Sequence, residues 1–289
     1  MAEVDLIHSL EEIIDEADCF IFDQFGVLID GTRAYAGAEK CLRMLHDRGK
    51  SLALLSNSGR RSSANIDRLE RFGLPMNLFQ ALVTSGEALW LDCRDKRLDP
   101  TPERVLFLTM EPEDAVRWSA GLDVVSTSDP MDAEAIFLLG VRDGLADDHF
   151  DPLFETAIGR GLTLYCANPD LQSPRPGGNV LSPGHFAVRY EQLGGKVVQY
   201  GKPYRPIFEQ VARLTDAPPN RMVMIGDSIH HDIAGAAGFG IKSVFVRSGL
   251  DRARFSDAAT DNDVRTEIAT LCAAHGLDGG PNWSLHELG

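Results

Sequence analysis

The stretch Arg221–Val246, RMVMIGDSIHHDIAGAAGFGIKSVFV, carries the pattern from which the fold of this chain is predicted. A short apolar run ends at Gly226 and is followed by the polar pair Asp227-Ser228. A helical pattern of small residues comes next and stops at a glycine, and a second apolar run follows. A buried strand, a helix and another buried strand form a βαβ unit, which is typical of a parallel sheet covered by helices.

The same alternation of apolar strand and helix extends outward from this stretch. Predicted strands are Cys19–Gly26, Ser51–Ser58, a strand within Ala81–Leu89 that leads into a helix, and Lys196–Pro203, and predicted helices are Ala36–Gly49 and Arg61–Gly73. We therefore predict an α/β protein whose core is a doubly wound, Rossmann-like parallel sheet with helices on both faces.

The middle of the chain has enough strands and helices of its own for a second, smaller α/β domain. Its apolar runs VLFLTM, DVVST, AIFLLGV and LTLYC lie between proline-rich RLDPTPE and turn-rich QSPRPGGNVLSPG. Such turn-rich segments mark the ends of structural units. We predict a core domain formed by residues 1–89 and 194–289, and an inserted α/β cap domain formed by residues 90–193.

The composition limits the classes of partner. The 289 residues include 28 Lys and Arg against 43 Asp and Glu, so the net charge is −15. We expect neither nucleic acid nor an anionic membrane as a partner, because the chain repels both. The five cysteines form no CxxC pair, which argues against a zinc site or a disulfide framework. The first residues are acidic and lack the pattern of a secretory signal, so the expected location is the cytoplasm.

Polar groups follow the apolar runs at four places, and ligands bind beyond the carboxyl ends of parallel strands. The four places are Asp23 in FDQFG, Ser56-Asn57 in LLSNS, Lys202 in GKP and Asp227 in IGDS. Each group alone has an ordinary structural explanation, such as a turn, a helix cap or a solvated lysine. Their convergence on one edge of a sheet is what indicates a site.

Each of these residue types suits phosphate chemistry. Asp23 is a candidate nucleophile, because a carboxylate can form an acyl phosphate. Asp227 and Asp232 suit Mg²⁺, which prefers oxygen ligands, although one of them or Ser228 could instead cap a helix. Ser56 and Asn57 offer donors to phosphate oxygens, and Lys202 offers a positive charge.

The order and spacing of these groups resemble the four motifs of the haloacid dehalogenase superfamily. Asp23, in FDQFG, matches the first motif, Ser56 and Asn57 match the second motif, Lys202 lies in GKP, and GDSIHHDI supplies Asp227 and Asp232. The segments TSGEAL and ANPDL are similar to the class II subgroup A branch, which is NagD-like and carries its cap between the second and third motifs. This branch includes phosphatases of sugar phosphates and other small phosphorylated metabolites.

The resemblance implies a role for each matching residue. Asp23 would be the nucleophile, and Lys202 would balance the charge of the phosphoryl group, which Ser56 and Asn57 would bind. The metal ion, Mg²⁺, would be held by the Asp23 carboxylate, the backbone carbonyl of Phe25 and the Asp227 side chain. Asp232 would support the metal shell or Lys202, and Asn168 and Asp170 would lie on the cap side, near the leaving group.

The first motif departs from the pattern of the superfamily's phosphatases. They have a second Asp two positions after the nucleophile, which acts as the general acid, whereas this chain has Phe25. A phenyl ring donates no proton, and general acid–base catalysis contributes about 10²–10⁴-fold. The backbone carbonyl of Phe25 remains able to bind the metal.

Three consequences of this substitution stay open at the level of sequence. The substrate could have a good leaving group, such as an acyl, enol or aryl phosphate. Another residue, Asp30, His230 or His231, could supply the proton. The chain could also be a phosphometabolite-binding protein with weak or no catalysis.

Other chemistries of the same superfamily, and of other folds, fit less well. Members that cleave C–P bonds use a cap lysine, and Lys96, in RDKRLD, lacks the apolar setting that such a lysine needs. Members that cleave C–halogen bonds need no metal motif. The GFG at Gly238–Gly240 ends a helix, so it is not a dinucleotide fingerprint. We therefore expect a Mg²⁺-dependent phosphatase that acts on a small phosphorylated metabolite, with a homodimer as a possible assembly.

Overall fold

The computed structural model describes residues 4–175, 177–255 and 260–288 of the chain. In these ranges the strands are β1 (Asp5–Ile7), β2 (Cys19–Asp23), β3 (Ser51–Ser56), β4 (Phe79–Thr84), β5 (Arg104–Leu108), β6 (Val125–Thr127), β7 (Ala135–Leu138), β8 (Thr163–Cys166), β9 (Gln172–Arg175), β10 (Gly178–Leu181), β11 (Lys196–Gln199), β12 (Met222–Gly226), β13 (Lys242–Val246) and β14 (Trp283–Leu285).

Helices cover these strands. The α-helices are α1 (Ala38–Asp47), α2 (Ser63–Arg71), α3 (Ser85–Arg94), α4 (Pro112–Ser119), α5 (Asp151–Gly159), α6 (Pro183–Gln192), α7 (Arg205–Thr215), α8 (Ala234–Phe239) and α9 (Asp261–Ala274). Short 3₁₀ turns occupy Leu10–Glu16, Met76–Leu78, Pro219–Arg221 and Arg252–Arg254, and a π-helical turn, Ile229–Ile233, precedes α8.

The described residues fall into two compact units. The first unit lies within Met1–Ser56, Ser63–Val83 and Lys202–Gly289. The second unit lies within Asn57–Ser62 and Thr84–Gly201.

The first unit is built on a seven-stranded sheet with the order β1-β14-β13-β12-β2-β3-β4. The pairs from β1 through β3 are parallel. The chain moves from β2 to β3 and β4 on one side, and from β12 to β13 and β14 on the other. The order therefore reverses between β2 and β12, and such a reversal opens a crevice beyond the carboxyl ends of the two strands.

The central strands of this sheet are buried on both faces. β2 reads CFIF before its final Asp and β12 reads MVMIG, and all nine of these residues are buried. Helices and loops supply apolar side chains to both faces, which is why the strands are continuously apolar instead of alternating. The aspartates that follow β2 and β12 are thus held by rigid, fully buried strands.

The second unit is built on a five-stranded parallel sheet with the order β11-β8-β7-β5-β6. An edge-to-face series of rings, Phe107, Trp118, Phe137 and Tyr165, packs against it with centroid separations of 5.5 to 5.9 Å. A separate antiparallel hairpin, β9–β10, follows β8. The unit has its own apolar core around Phe154, Phe186 and Tyr190.

The expected fold class, a doubly wound parallel core with an inserted α/β unit, is confirmed. Two local features differ from the sequence analysis. Residues 172–184, read there only as a turn-rich boundary, contain the β9–β10 hairpin and lead into α6. β11, grouped there with the core, pairs with β8 of the second unit, which comprises Asn57–Ser62 and Thr84–Gly201.

Two further features concern the whole chain. Among the residues that the structure describes, no helix is both long and apolar enough to cross a membrane. All five cysteines carry free thiols and are buried. Burial raises their pKa values, to about 11 for Cys19 and Cys93 and to about 12 for Cys41 and Cys166.

Candidate active site

Asp23 and Lys202 form the centre of a buried ionic cluster in the first unit. Asp23 is the last residue of β2, and the Lys202 ammonium lies 2.5 Å from its Oδ1 and 2.7 Å from Oδ1 of Asp232. The side chains of Lys202 and Asp232 are 4% and 0% exposed, while that of Asp23 keeps 15%. Asp23 is therefore the member of the cluster that solvent can still reach.

Asp227 and Asp232 lie at the same switch point, on the loop and turn that follow β12. Carboxylate oxygens of Asp23, Asp227 and Asp232 all lie within 4.8 Å of one another. Asp232 also accepts a hydrogen bond from the backbone N–H of Ser228, at 3.1 Å. The helix cap is Ser228, whose Oγ accepts from the N–H of His231, so neither aspartate is used for capping.

Close backbone approaches hold Asp227 in place. A Cβ atom on Gly26 would lie 1.8 Å from Oδ2 of Asp227, and one on Gly249 would lie 2.1 Å from the same oxygen. Gly26 also has a φ of +76°, a conformation that favours glycine. The N–H of Leu250 donates to Oδ2 of Asp227 at 2.7 Å. The carboxylate thus sits in a cradle that side chains at positions 26 and 249 would fill.

The electrostatics of the cluster follow from burial and from three carboxylates facing one lysine. Burial raises the pKa of Asp23 to about 6, against the opposing attraction of Lys202. Burial, and then repulsion from Asp23 and Asp232, raises the pKa of Asp227 to about 8. Burial alone would lower the pKa of Lys202, but Asp23 and Asp232 hold it above its ordinary value. The lysine is therefore a permanent cation, and the cluster retains excess negative charge.

The donor set fits a divalent cation. All of its side-chain ligand atoms are carboxylate oxygens, which Mg²⁺ prefers, and their surplus charge is what such an ion neutralises. The backbone of Phe25 joins the cluster through Gly26, which packs against Asp227.

Ser56 is the last residue of β3, which pairs with the strand of the nucleophile candidate, and Asn57 follows it in the chain. Asp23 is in register with Leu55 across the β2–β3 pair, so the buried Ser56 is the next residue along that edge. Asn57 belongs to the second unit, where its amide donates to Oδ1 of Asp170 at 2.8 Å. Asn168 accepts from the N–H of Asp170 at 3.0 Å. The structure thus groups Asn57, Asn168 and Asp170 in one hydrogen-bonded chain.

Of the three alternative proton donors, Asp30 lacks the setting of a general acid. Asp30 accepts hydrogen bonds from the hydroxyl and N–H of Thr32 and from Arg33, and these bonds lower its pKa well below the usual range. An acid so fully ionised has no proton to give at neutral pH. Nδ1 of His231 lies 3.3 Å from Oγ of Ser228, and the ring of the exposed His230 contacts His231 edge to face and His275 in a tilted arrangement.

Lys96 also lacks a catalytic setting, because its side chain is exposed in the turn after α3. The C–P cleavage considered in the sequence analysis would need a buried amine.

Sequence reasoning missed part of the site. Lys202 was expected at the tip of a core strand, but β11 belongs to the other sheet, and the loop between Gly201 and α7 carries the lysine. The Leu250 amide was not predicted; the only signal is a polar turn, RSGLD, at the carboxyl end of β13. Arg68, on α2, also went unnoticed, although its guanidinium lies 5.1 Å from the ring centroid of Phe25.

A separate cavity of about 540 Å³ lies wholly within the second unit, at the carboxyl ends of β5 and β6. Its one charged lining residue, Arg142, already bonds the Glu111 carboxylate and the carbonyl of Met110. The cavity contains none of the carboxylates described above, and the chemistry belongs to the cluster around Asp23.

Comparison with known proteins matches two segments of the chain to models of the same kind of hydrolase. Residues 20–120 match the sequence model of the haloacid dehalogenase-like hydrolases, and residues 199–270 match a second model, described as HAD-hydrolase-like. Together the matched segments contain Asp23, Ser56, Lys202, Asp227 and Asp232.

Relatives align along most of their own length. The chain is 29% identical over 263 residues to glycerol-3-phosphate phosphatase of Rattus norvegicus, covering 82% of this chain and 81% of the relative. It is 27% identical to chronophin of Bos taurus, covering 89% and 90%. A crystal structure of a haloacid dehalogenase-like hydrolase from Brucella suis 1330 matches with a TM-score of 0.76 and 27% identity, covering 98% of this chain and 100% of that one. With the parallel fold, the carboxylate cluster at its switch point and these matches, the chain belongs to the haloacid dehalogenase-like hydrolase superfamily.

Proposed function

We propose that this chain is a Mg²⁺-dependent phosphatase, a phosphoric monoester hydrolase, that acts on a small phosphorylated metabolite through an aspartyl phosphate on Asp23. The observation that carries the proposal is the contact of Asp23, the least buried carboxylate of the cluster, with the buried cation Lys202. Relatives that align over about four-fifths or more of their length bear the names glycerol-3-phosphate phosphatase and chronophin.

The proposed reaction has two displacements at phosphorus. In the first, a carboxylate oxygen of Asp23 attacks, the bond from phosphorus to the leaving oxygen breaks, and an acyl phosphate forms. In the second, water attacks the phosphorus, the bond to Asp23 breaks, and the carboxylate is restored. Lys202 balances the charge of the transferring group, and Ser56 and Asn57 donate to its oxygens.

The proposed metal ligands are the Asp23 carboxylate, the backbone carbonyl of Phe25 and the Asp227 carboxylate. When bound, Mg²⁺ would supply the positive charge that polarises the phosphoryl oxygens. Asp232 orients Lys202, because its carboxylate accepts from both the lysine and the Ser228 N–H and is fully buried. Leu250 fixes the orientation of Asp227 through its N–H.

We also propose that the second unit is the substrate-selecting cap, and that Asn168 and Asp170 contribute to recognition of the leaving group. Their hydrogen-bonded chain with Asn57 supports this assignment, because it couples a phosphate-binding candidate to two candidates for substrate contact.

Phe25 favours a second candidate function, a phosphometabolite-binding protein with weak or no catalysis. Its ring removes the proton donor that ordinary alkyl phosphates need, and the ionised Asp30 does not replace it. The intact nucleophile, lysine and metal-type cluster favour the phosphatase.

The test is steady-state hydrolysis of p-nitrophenyl phosphate, acetyl phosphate and a panel of alkyl phosphates, with Mg²⁺ and with EDTA. We expect Mg²⁺-dependent release that is lost in Asp23→Asn, and acid-quenched enzyme that carries one labile phosphoryl group. Full activity in Asp23→Asn would contradict the nucleophile assignment. No hydrolysis of any substrate by a folded protein that binds phosphate would favour the binding function.

A further inference from the structure

Phe25 is an exposed aromatic ring anchored in the carboxylate cluster. Gln24, which precedes it, and Val27, two residues after it, are both buried, and yet Phe25 is 47% exposed. The backbone beneath it is fixed, because the N–H of Gly26 donates to the carbonyl of Ile29 at 2.9 Å and Gly26 packs against Asp227. The ring is therefore an exposed apolar surface on a fixed backbone segment, two residues after Asp23.

Arg68 places a cation beside this ring. Its Cζ lies 5.1 Å from the Phe25 ring centroid, and its Nη2 donates to Oδ1 of Asn65, one helical turn earlier on α2, at 3.2 Å. Asn65 is itself only 7% exposed, so the arginine is oriented by a buried partner. A ring and a guanidinium thus stand next to each other beside the nucleophile strand.

Resting on the proposed function, we propose that Phe25 and Arg68 form a leaving-group subsite and that the substrate is the phosphate monoester of a planar, acidic alcohol, an aryl or enol phosphate. Phe25 stacks against the planar group, and offset or edge-on ring contacts give such a group a preferred orientation. Arg68 stabilises the negative charge that builds up on the departing oxygen. A cation does this without transferring a proton, which suits a site that has a phenyl ring instead of a general acid.

The electrons and protons balance without any further reagent. A carboxylate oxygen of Asp23 forms a bond to phosphorus, and the phosphorus–oxygen bond to the leaving group breaks, so that the leaving oxygen departs as an anion beside Arg68. Water then forms a bond to phosphorus, and the bond to Asp23 breaks with its electron pair returning to the carboxylate. The attacking water releases one proton to solvent, and the departed anion takes up one proton from solvent.

The experiment measures kcat/KM for a series of substituted phenyl phosphates whose leaving groups differ in acidity, together with glycerol 3-phosphate. Wild type, Arg68→Gln, Arg68→Lys and Phe25→Leu are compared. Arg71→Gln is the matched control, because Arg71 lies exposed on the same helix and its Nε donates to the carbonyl of Asp67. Thermal melting checks that each variant is folded.

In wild type we expect aryl phosphates to react faster than glycerol 3-phosphate, with log kcat/KM falling as the leaving group becomes more basic. Arg68→Gln should lower kcat/KM by about tenfold for the most basic phenols and much less for the most acidic ones, so the slope steepens. Arg68→Lys should restore most of the slope. Phe25→Leu should raise KM for aryl phosphates more than KM for glycerol 3-phosphate, and Arg71→Gln should match wild type.

Two results would overturn this inference. The first is an Arg68→Gln variant that loses the same factor on every substrate, which is the behaviour of a structural residue. The second is a wild type that prefers glycerol 3-phosphate. Failure of the proposed function is distinguishable, because in that case wild type hydrolyses no substrate, which overturns both proposals, or Asp23→Asn retains hydrolysis of every substrate whatever the slopes are.

Discussion

Lys202 carries a buried positive charge that forms ion pairs with two carboxylates. Its ammonium contacts Asp23 and Asp232, and neither it nor Asp232 is significantly exposed. Breaking a buried ion pair from one side costs more than the pair contributes, because the remaining charge stays buried.

We therefore expect Lys202→Met to abolish turnover and to lower the free energy of unfolding in EDTA by about 3 kcal/mol, measured by urea denaturation. The control is Lys242→Met, which removes an exposed lysine 2.5 Å from Glu16 and should change stability far less. Equal losses in the two variants would show that the cluster around Lys202 does not behave as a buried ion network.

Asp30 provides a second test at the scale of single residues. Its low pKa, caused mainly by the hydrogen bond from the Thr32 hydroxyl, leaves it ionised across the neutral range. A group whose pKa is depressed in the folded state is deprotonated at every pH above that value, so it cannot produce an acid limb near neutrality. We expect Asp30→Asn to leave the pH profile of kcat/KM unchanged between pH 5 and 9; a lost limb would identify Asp30 as the proton donor.

At the scale of elements, the loop after β2 depends on one close approach. A side chain at Gly26 would overlap Oδ2 of Asp227, and the φ of +76° adds backbone strain. We expect Gly26→Ala to displace Asp227 and to lower kcat/KM by about 100-fold, since misplacement of a catalytic group by ~1 Å has an effect of that order.

Gly73→Ala separates the two causes. Gly73 has a comparable φ of +83°, but nothing lies within 4 Å of the position of its Cβ. This control should lose stability with little change in kcat/KM. If both variants lost the same activity, backbone strain, and not contact with Asp227, would be the explanation.

Strands and helices that depend only on nearby residues could be predicted from the sequence. The runs Cys19–Gly26 and Ser51–Ser58 became β2 and β3, because a short apolar run before a polar tip needs no distant partner to be recognised. The sheet that receives a strand is decided by pairing far along the chain. Nothing within KVVQ predicts that β11 pairs with β8. The prediction that Lys202 lies at the end of a core strand was therefore wrong.

The residues of the candidate site also divide into those that local sequence predicts and those that only the fold brings together. Asp23 follows an apolar run, Asp227 follows a glycine and Asp232 lies five positions after Asp227, and the fold brings their carboxylate oxygens within 4.8 Å of one another. The Leu250 amide and the Arg68 guanidinium come from ordinary segments, a turn and an amphipathic helix. Their roles depend on distances that only the folded chain defines.

At the scale of the whole molecule, the switch point concentrates negative charge in a chain whose net charge is already −15. A cation that binds the folded cluster and not the unfolded chain stabilises the fold, by about 2.7 kcal/mol at a hundredfold excess over its Kd. We expect Mg²⁺ to raise the Tm of wild type at constant ionic strength.

Asp227→Asn should lose this Mg²⁺-dependent rise in Tm, while in EDTA its Tm should equal or exceed that of wild type, because one member of a repelling group has been neutralised. Differential scanning calorimetry of both proteins with and without Mg²⁺ provides the measurement. An identical Mg²⁺-dependent rise in Tm in the variant would show that Asp227 is not a ligand of the ion.

The reactivity of the buried thiols reports which part of this protein unfolds first. Only a thiolate is nucleophilic, and burial both shields these thiols and raises their pKa values, so alkylating reagents find little to react with in the folded chain. Cys19, Cys41 and Cys272 belong to the first unit, whereas Cys93 and Cys166 belong to the second. A brief pulse of iodoacetamide during slow heating would therefore tag whichever half of the chain comes apart first, and a peptide map would show whether the insertion melts before its host.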